Sequence, residues 1–209
     1  METKNIINSW DKMNVGTFLK IREINELNIS DQDKNLKVAA LLADITYEDI
    51  VNMPLSETYD LVESTLFLLE KPKPIKARRK YEVNGKTYML MKTAEEMTTA
   101  QYINFNNLSV DGFEKHIPEM LALFLIPEGH QYNDGYDMEE VVDDMMSIGV
   151  MEAYGIADFF TKRYIRLMRC ILVYLRLRIK WLRITARKKE KERIKAMELS
   201  LRLILEGSV

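Results

Sequence analysis

Cysteine is almost missing from this chain of 209 residues. Cys170 stands alone, so no internal disulfide can form, and a reducing compartment such as bacterial or host cytoplasm is the expected home. Histidine is nearly as scarce: His116 and His130 are the only two, and neither has a cysteine or a second histidine at metal-ligand spacing. Eight glycines and five prolines, set against many Leu, Met, Lys and Glu, favour helix over sheet. No glycine-rich phosphate loop, nucleophile elbow or dinucleotide fingerprint occurs. The expectation is a protein that is not an enzyme, with no catalytic, cofactor-binding or metal-binding residues.

Long apolar runs are missing too. In the C-terminal region the longest charge-free apolar run is Cys170 to Leu175, six residues where a bilayer span needs roughly 20, so no transmembrane span is expected. Met1 to Trp10 lacks the basic flank and apolar stretch of a signal peptide. With 47% apolar and 30% charged residues, the composition is that of a folded protein.

What is present is segregated charge. Half of the 30 basic residues lie between Lys162 and Arg202, against three Glu, so that stretch carries +12 and leaves about −14 for the rest. A bipolar molecule of this kind points to a partner surface rather than to an active site.

The periodicity predicts a mainly α fold in three parts: an N-terminal helical bundle over 1–71, a hairpin with helices packed on it as one globule over 72–148, and a long basic amphipathic helix or arm over 149–209. Within the first part, a short helix spans Val15 to Asn25. Ser30 caps a helix to Asp44, Thr46 caps Tyr47 to Asn52, and Ser56 caps a helix to Lys71. Lys71-Pro-Lys-Pro74 then ends the bundle. Lys80 to Val83 and Lys86 to Met91 read as strands around Asn84-Gly85, a pair suited to a type I′ turn. A lone ribbon is marginal in water, so it must pack on helices or join another sheet edge, a neighbouring subunit's included. Helices follow over Ala100 to Asn106 and from about Val110 to Ile126. After a loop from Pro127 to Gly135, Asp137 and Glu140 start an acidic helix in the manner of a capping box.

The last helix begins near Gly149 or Val150 and is predicted to run past Leu201. Arg166, Arg169, Arg176, Lys180, Arg183 and Arg187 fall at alternating 3/4 spacing, with Val173 as the one apolar interloper, and line one basic stripe. Ile165, Met168, Leu172, Leu175, Ile179, Leu182 and Ala186 form an apolar seam of coiled-coil character. Tyr164, Leu167, Ile171, Tyr174, Leu177, Trp181 and Ile184 widen the apolar surface beyond that seam. Extended to Leu205 such a helix would be on the order of 80 Å long, so it either bends back near Arg187 to Arg193 or is covered by a partner. The residues expected to bind a partner are those of the stripe together with Leu172, Leu175, Ile179, Trp181 and Leu182. Phosphate backbones bound without sequence preference, a membrane interface, an acidic protein surface and plain solvent all remain open as what the stripe meets.

Two clusters with chemical potential have plainer readings. Asp137, Glu139, Glu140, Asp143 and Asp144 match no calcium-loop spacing and suit a helix start. Cys170, next to Arg169, reads as a small buried hydrophobe in preference to a reactive thiol.

Several segments carry a resemblance: Val15-Gly-Thr-Phe-Leu-Lys-Ile21, Tyr47-Glu-Asp-Ile50 with Met53-Pro-Leu-Ser56, Tyr81-Glu-Val-Asn-Gly-Lys-Thr-Tyr88, Met97-Thr-Thr-Ala-Gln-Tyr-Ile103, and Leu121-Ala-Leu-Phe-Leu-Ile-Pro-Glu-Gly129 with Tyr132-Asn133 and Tyr136-Asp137. In these the chain resembles small proteins of tailed-bacteriophage structural gene clusters, those of Bacteroides-type and crAss-like phages among them, over most of residues 15 to 165. The resemblance implies a tail assembly chaperone acting in the infected host's cytoplasm. Such a protein holds the apolar helices of a tape-measure protein until tail subunits polymerise, and it carries no catalytic residues to transfer. The basic arm after Phe160 exceeds what that group has. This brings in the alternative of a virion component, a head-tail or cargo protein whose arm contacts neighbouring subunits or packaged DNA. Homo-oligomers fit either role.

Overall fold

The computed structural model describes residues 6–92, 96–110 and 112–185, apart from the side chains of 166–168, 170, 171 and 182–185. Chain contacts divide it into two units, Met1–Thr161 and Lys162–Val209. The described residues are mainly helical, with one three-stranded antiparallel sheet, and no helix among them is long and apolar enough to cross a membrane.

The first unit opens with α1 (Val15–Glu26), α2 (Asp31–Leu42), α3 (Tyr47–Val51) and α4 (Leu55–Ser64). Their starts are fixed chemically. Asn14 and Ser30 accept the free N–H groups of Thr17 and Asp33, and Thr46 and Asp49 form a reciprocal capping box. The expected Ser56 cap is displaced. The helix begins at Leu55 behind Pro54, with Ser56 already inside it. It also stops early, because the hydroxyls of Ser64 and Thr65 bond back to Leu61 O and Val62 O at 2.6 and 2.7 Å, and a 3₁₀ turn, Leu66–Leu69, takes over.

The hairpin forms in the expected register. Strands β1 (Lys80–Val83) and β2 (Lys86–Leu90) pair antiparallel, with Val83 opposite Lys86. Asn84 and Gly85 take φ of 49° and 77°, both positive as a type I′ turn requires. The further strand that a ribbon needs comes from the same chain: β3 (Leu125–Pro127) pairs with β2. The helix expected to reach Ile126 therefore ends at Phe124. It also starts later than Val110, as α6 (Ile117–Phe124) with Pro118 in its first turn, while the helix expected over Ala100 to Asn106 is α5 (Thr99–Ser109).

Helix α7 (Met138–Met145) begins with Asp137 accepting from Glu139 N–H at 2.9 Å. Glu140 takes no part in that cap. The link from α7 into α8 (Val150–Thr185) is laced to the start of α1 by Val15 N–H to Ile148 O and Gly16 N–H to Met146 O, both 2.8 Å, and by Val150 N–H to Met13 O, 2.9 Å. The largest core cluster joins the sheet, α6, α7 and the first turns of α8 through Tyr88, Leu121, Leu125, Met145, Ile156 and Phe160. Phe124 and Phe160 stack there with ring centres 3.8 Å apart. Two smaller clusters hold the N-terminal helices, one around Met13, Ile21, Val38, Leu42 and Val150, the other around Ala39, Ala40 and Ile50.

Candidate functional site

The second unit carries the residues predicted to bind a partner. Residues 162–185 are helical, which gives the 3/4 spacings their physical meaning. Along the seam, Leu172 and Leu175 are half-buried and Ile179 is 7% exposed. Along the stripe, Arg169, Arg176 and Lys180 are exposed. The side chains of Arg166, Leu182 and Arg183, and the whole of Arg187, lie outside the described residues, as does the helix expected beyond Thr185.

Trp181 separates from its expected companions. It is 62% exposed, and so are Leu177 at the same value and Tyr174 nearby. A helix turns about 100° per residue, so Ile179 and Trp181 lie on opposite sides, and Tyr174, Leu177 and Trp181 share one stripe at i, i+3 and i+7. Arg176, Arg178 and Lys180, all exposed, flank that stripe. The helix thus has one apolar face that is more buried at Leu172, Leu175 and Ile179, though exposed at Ile165, and a second apolar face that is exposed, with cations between them. An ordinary surface helix would be polar opposite its buried seam. Arg178 was missed in the sequence because it stands off the regular basic series.

In the first unit the most concentrated polar group is Asn84, Lys86, Tyr88, Glu140 and Asp144. Tyr88 and Asp144 are buried, at 0% and 6% exposure. The Asp144 carboxylate accepts from Asn84 Nδ2 at 2.8 Å, from Lys86 Nζ at 2.9 Å and from the Tyr88 hydroxyl. Lys86 Nζ also meets Glu140 at 2.7 Å. Burial works to raise the Asp144 pKa, but the hydrogen bonds from Tyr88, Lys86 and Asn84 outweigh it and hold the carboxyl below its ordinary value. Burial, with the bond to Asp144, pushes the Tyr88 phenol up. The bonds to Glu140 and Asp144 push the Lys86 ammonium up.

Each donor in this group is matched to an acceptor, so it ties the hairpin to α7. Within the acidic helix, Glu140 and Asp144 pair with the Lys86 ammonium. The pairing was hidden in the sequence because Lys86 and Asp144 are 58 positions apart.

An open cleft of about 490 Å³ lies between the first turn of the chain and the start of α8, lined by Trp10, Lys12, Asn14, Ile75, Ser147 and Glu152 among others. Glu152 is engaged by Arg78. His130 Nδ1 meets Asp134 O at 2.9 Å in the loop before α7. His116 lies 3.8 Å from Glu119 at the start of α6. The Cys170 side chain lies outside the described residues. No family model, curated protein or solved structure matches this chain.

Proposed function

We propose that the chain is a noncatalytic assembly factor that binds protein partners through the outward face of α8. The observation that carries this is the exposure of Tyr174, Leu177 and Trp181 on the side of the helix away from Leu172, Leu175 and Ile179, with Arg176, Arg178 and Lys180 around them. Exposed aromatic and aliphatic side chains rimmed by arginine have the composition of interface cores and hot spots. Water does not favour such a stripe, and a partner helix would cover it.

The phage assignment rests on the resemblance of the segments between residues 15 and 165. On that basis the partner is a phage structural protein, the role is that of a tail assembly chaperone, and the place is the infected host's cytoplasm. The exposed cations favour one alternative, a virion component whose arm contacts neighbouring subunits or packaged DNA.

The test is light scattering coupled to size exclusion on the full chain and on a variant with Tyr174, Leu177 and Trp181 changed to Ser, each alone and with an apolar tape-measure segment. The wild type is expected to self-associate or to hold the segment in solution, and the variant to do neither while keeping its helical circular dichroism. Equal behaviour of the two would remove the α8 face from the proposal. Stable association with mature particles in place of release would select the virion reading.

A further inference from the structure

The run from Lys71 to Lys80, Lys-Pro-Lys-Pro-Ile-Lys-Ala-Arg-Arg-Lys, opens with the Lys71–Pro74 stretch that ends the N-terminal bundle and closes on the first residue of β1. It holds six of the 15 basic residues between Met1 and Thr161 and no acidic one, in a span that otherwise carries 28 Asp and Glu. All six cations are exposed. Arg78 pairs with Glu152, and Lys80 lies 3.7 Å from Glu128. Among the described residues no carboxylate lies within ion-pair distance of Lys71, Lys73, Lys76 or Arg79.

The strap is held in place from Ile75 to Arg79. Pro72 and Pro74 fix their own φ and bias Lys71 and Lys73 to extended backbone. Ile75 N–H donates to Met151 O at 3.0 Å, and Leu90 N–H donates to Arg79 O at 2.9 Å. Arg78 N–H donates to the Tyr81 hydroxyl at 2.9 Å. A charge run that served solubility alone would need no such anchoring. Here the backbone presents unpaired cations along a line, against their mutual repulsion, in a unit rich in carboxylates that could have neutralised them.

We propose that this strap binds the phosphodiester backbone of a nucleic acid without regard to sequence. The cations are distributed over ten successive positions outside helix and, up to Lys80, outside the sheet, an arrangement that suits a linear polyanion better than a single small anion. Fully extended at about 3.1 Å per residue, ten positions would span at most roughly 28 Å. Apart from Ile75 the strap exposes no large apolar side chain, whereas a protein interface is built around aromatic and aliphatic anchors. An interface made of cations and backbone is the nucleic-acid type. With no exposed aromatic in the run to stack on a base, its contacts position the polymer and read nothing. The strap and the α8 face share no residue and belong to different units, and the two proposals stand or fall apart.

The test uses the full chain, with a mixed-sequence duplex of about 25 base pairs and a single strand of the same length as probes, in fluorescence anisotropy between about 50 and 200 mM salt. Three variants are compared with wild type: Lys71, Lys73, Lys76 and Arg79 all changed to Gln; the same lysines changed to Arg; and Arg169, Arg176 and Lys180 changed to Gln. Four phosphate contacts contribute a log–log salt slope of about −3.6 on duplex and −2.8 on a single strand. The strap-to-Gln variant is therefore expected to lose that much slope and at least tenfold in affinity at the lowest salt, and the Arg variant to keep both. The stronger probe identifies the form bound. Failure of wild type to bind either probe, or equal slopes for wild type and the Gln variant, overturns the proposal. So does a strap-dependent response only to polyglutamate or to a second copy of the chain, which would assign the strap to an acidic protein surface.

Discussion

Gly155 lies so close to Ile75 that a Cβ added to the glycine would stand 1.7 Å from the isoleucine's carbonyl oxygen. One turn earlier in α8, Met151 O accepts the Ile75 N–H. The strap therefore rests backbone to backbone on the helix, and only a residue without a side chain admits it. Glycine in a helix interior is otherwise about 1 kcal/mol worse than alanine.

Gly155→Ala reverses sign for this reason. On a free helix surface it would stabilise by about 1 kcal/mol. Here the methyl group meets backbone, and a loss of about 2 to 3 kcal/mol is expected. The midpoint of urea unfolding measures it, and a midpoint at or above that of wild type would show that the strap does not lie on the helix.

Asp144→Asn tests the tie between hairpin and α7. At neutral pH the substitution is expected to cost about 1 to 3 kcal/mol, since it weakens bonds to Lys86 and Tyr88 in a buried setting. Because the folded-state pKa of Asp144 is depressed, its contribution is fully present above the unfolded value of about 4 and is lost as pH falls through the folded value. The gap in unfolding free energy between wild type and variant should therefore close below about pH 4. A gap that stays constant down to pH 2 would mean that the Asp144 charge is not what holds the pair.

Asn84→Asp looks neutral from turn chemistry, since Asn-Gly and Asp-Gly both suit a type I′ turn. The structure makes it unfavourable: Asn84 Nδ2 donates to Asp144 at 2.8 Å, and an aspartate there would set one carboxylate against another. A loss of about 1 to 2 kcal/mol at pH 7 is expected, shrinking as the pair takes up a proton in acid. Thermal unfolding at two pH values reads it.

The contrast at position 84 shows how far the sequence could be read. Capping by Ser30 and Thr46 and the Asn84-Gly85 turn depend on neighbours within four residues, so they were legible. Strand β3 was not. Leu121 to Ile126 is apolar without interruption, which suits a buried helix and a buried strand alike, and only pairing with Tyr88 to Leu90 decides where one becomes the other. Likewise, periodicity sorted α8 into a basic stripe and two apolar sets. It could not say which apolar set is the more buried, since both have helical spacing.

That division of α8 gives the sharpest test. Ile179→Ala removes a buried side chain and is expected to lose about 2 to 4 kcal/mol of stability. Leu177→Ser and Trp181→Ser, on the exposed side, should each change stability by no more than about 0.5 kcal/mol while abolishing association. Two measurements separate the cases, unfolding followed by circular dichroism and mass by light scattering. If Trp181→Ser unfolds the unit and leaves association intact, Trp181 belongs to the inner packing, and the outward face shrinks to Tyr174 and Leu177. If stability holds and association is lost, burial within the unit and binding of a partner are carried by opposite sides of one helix.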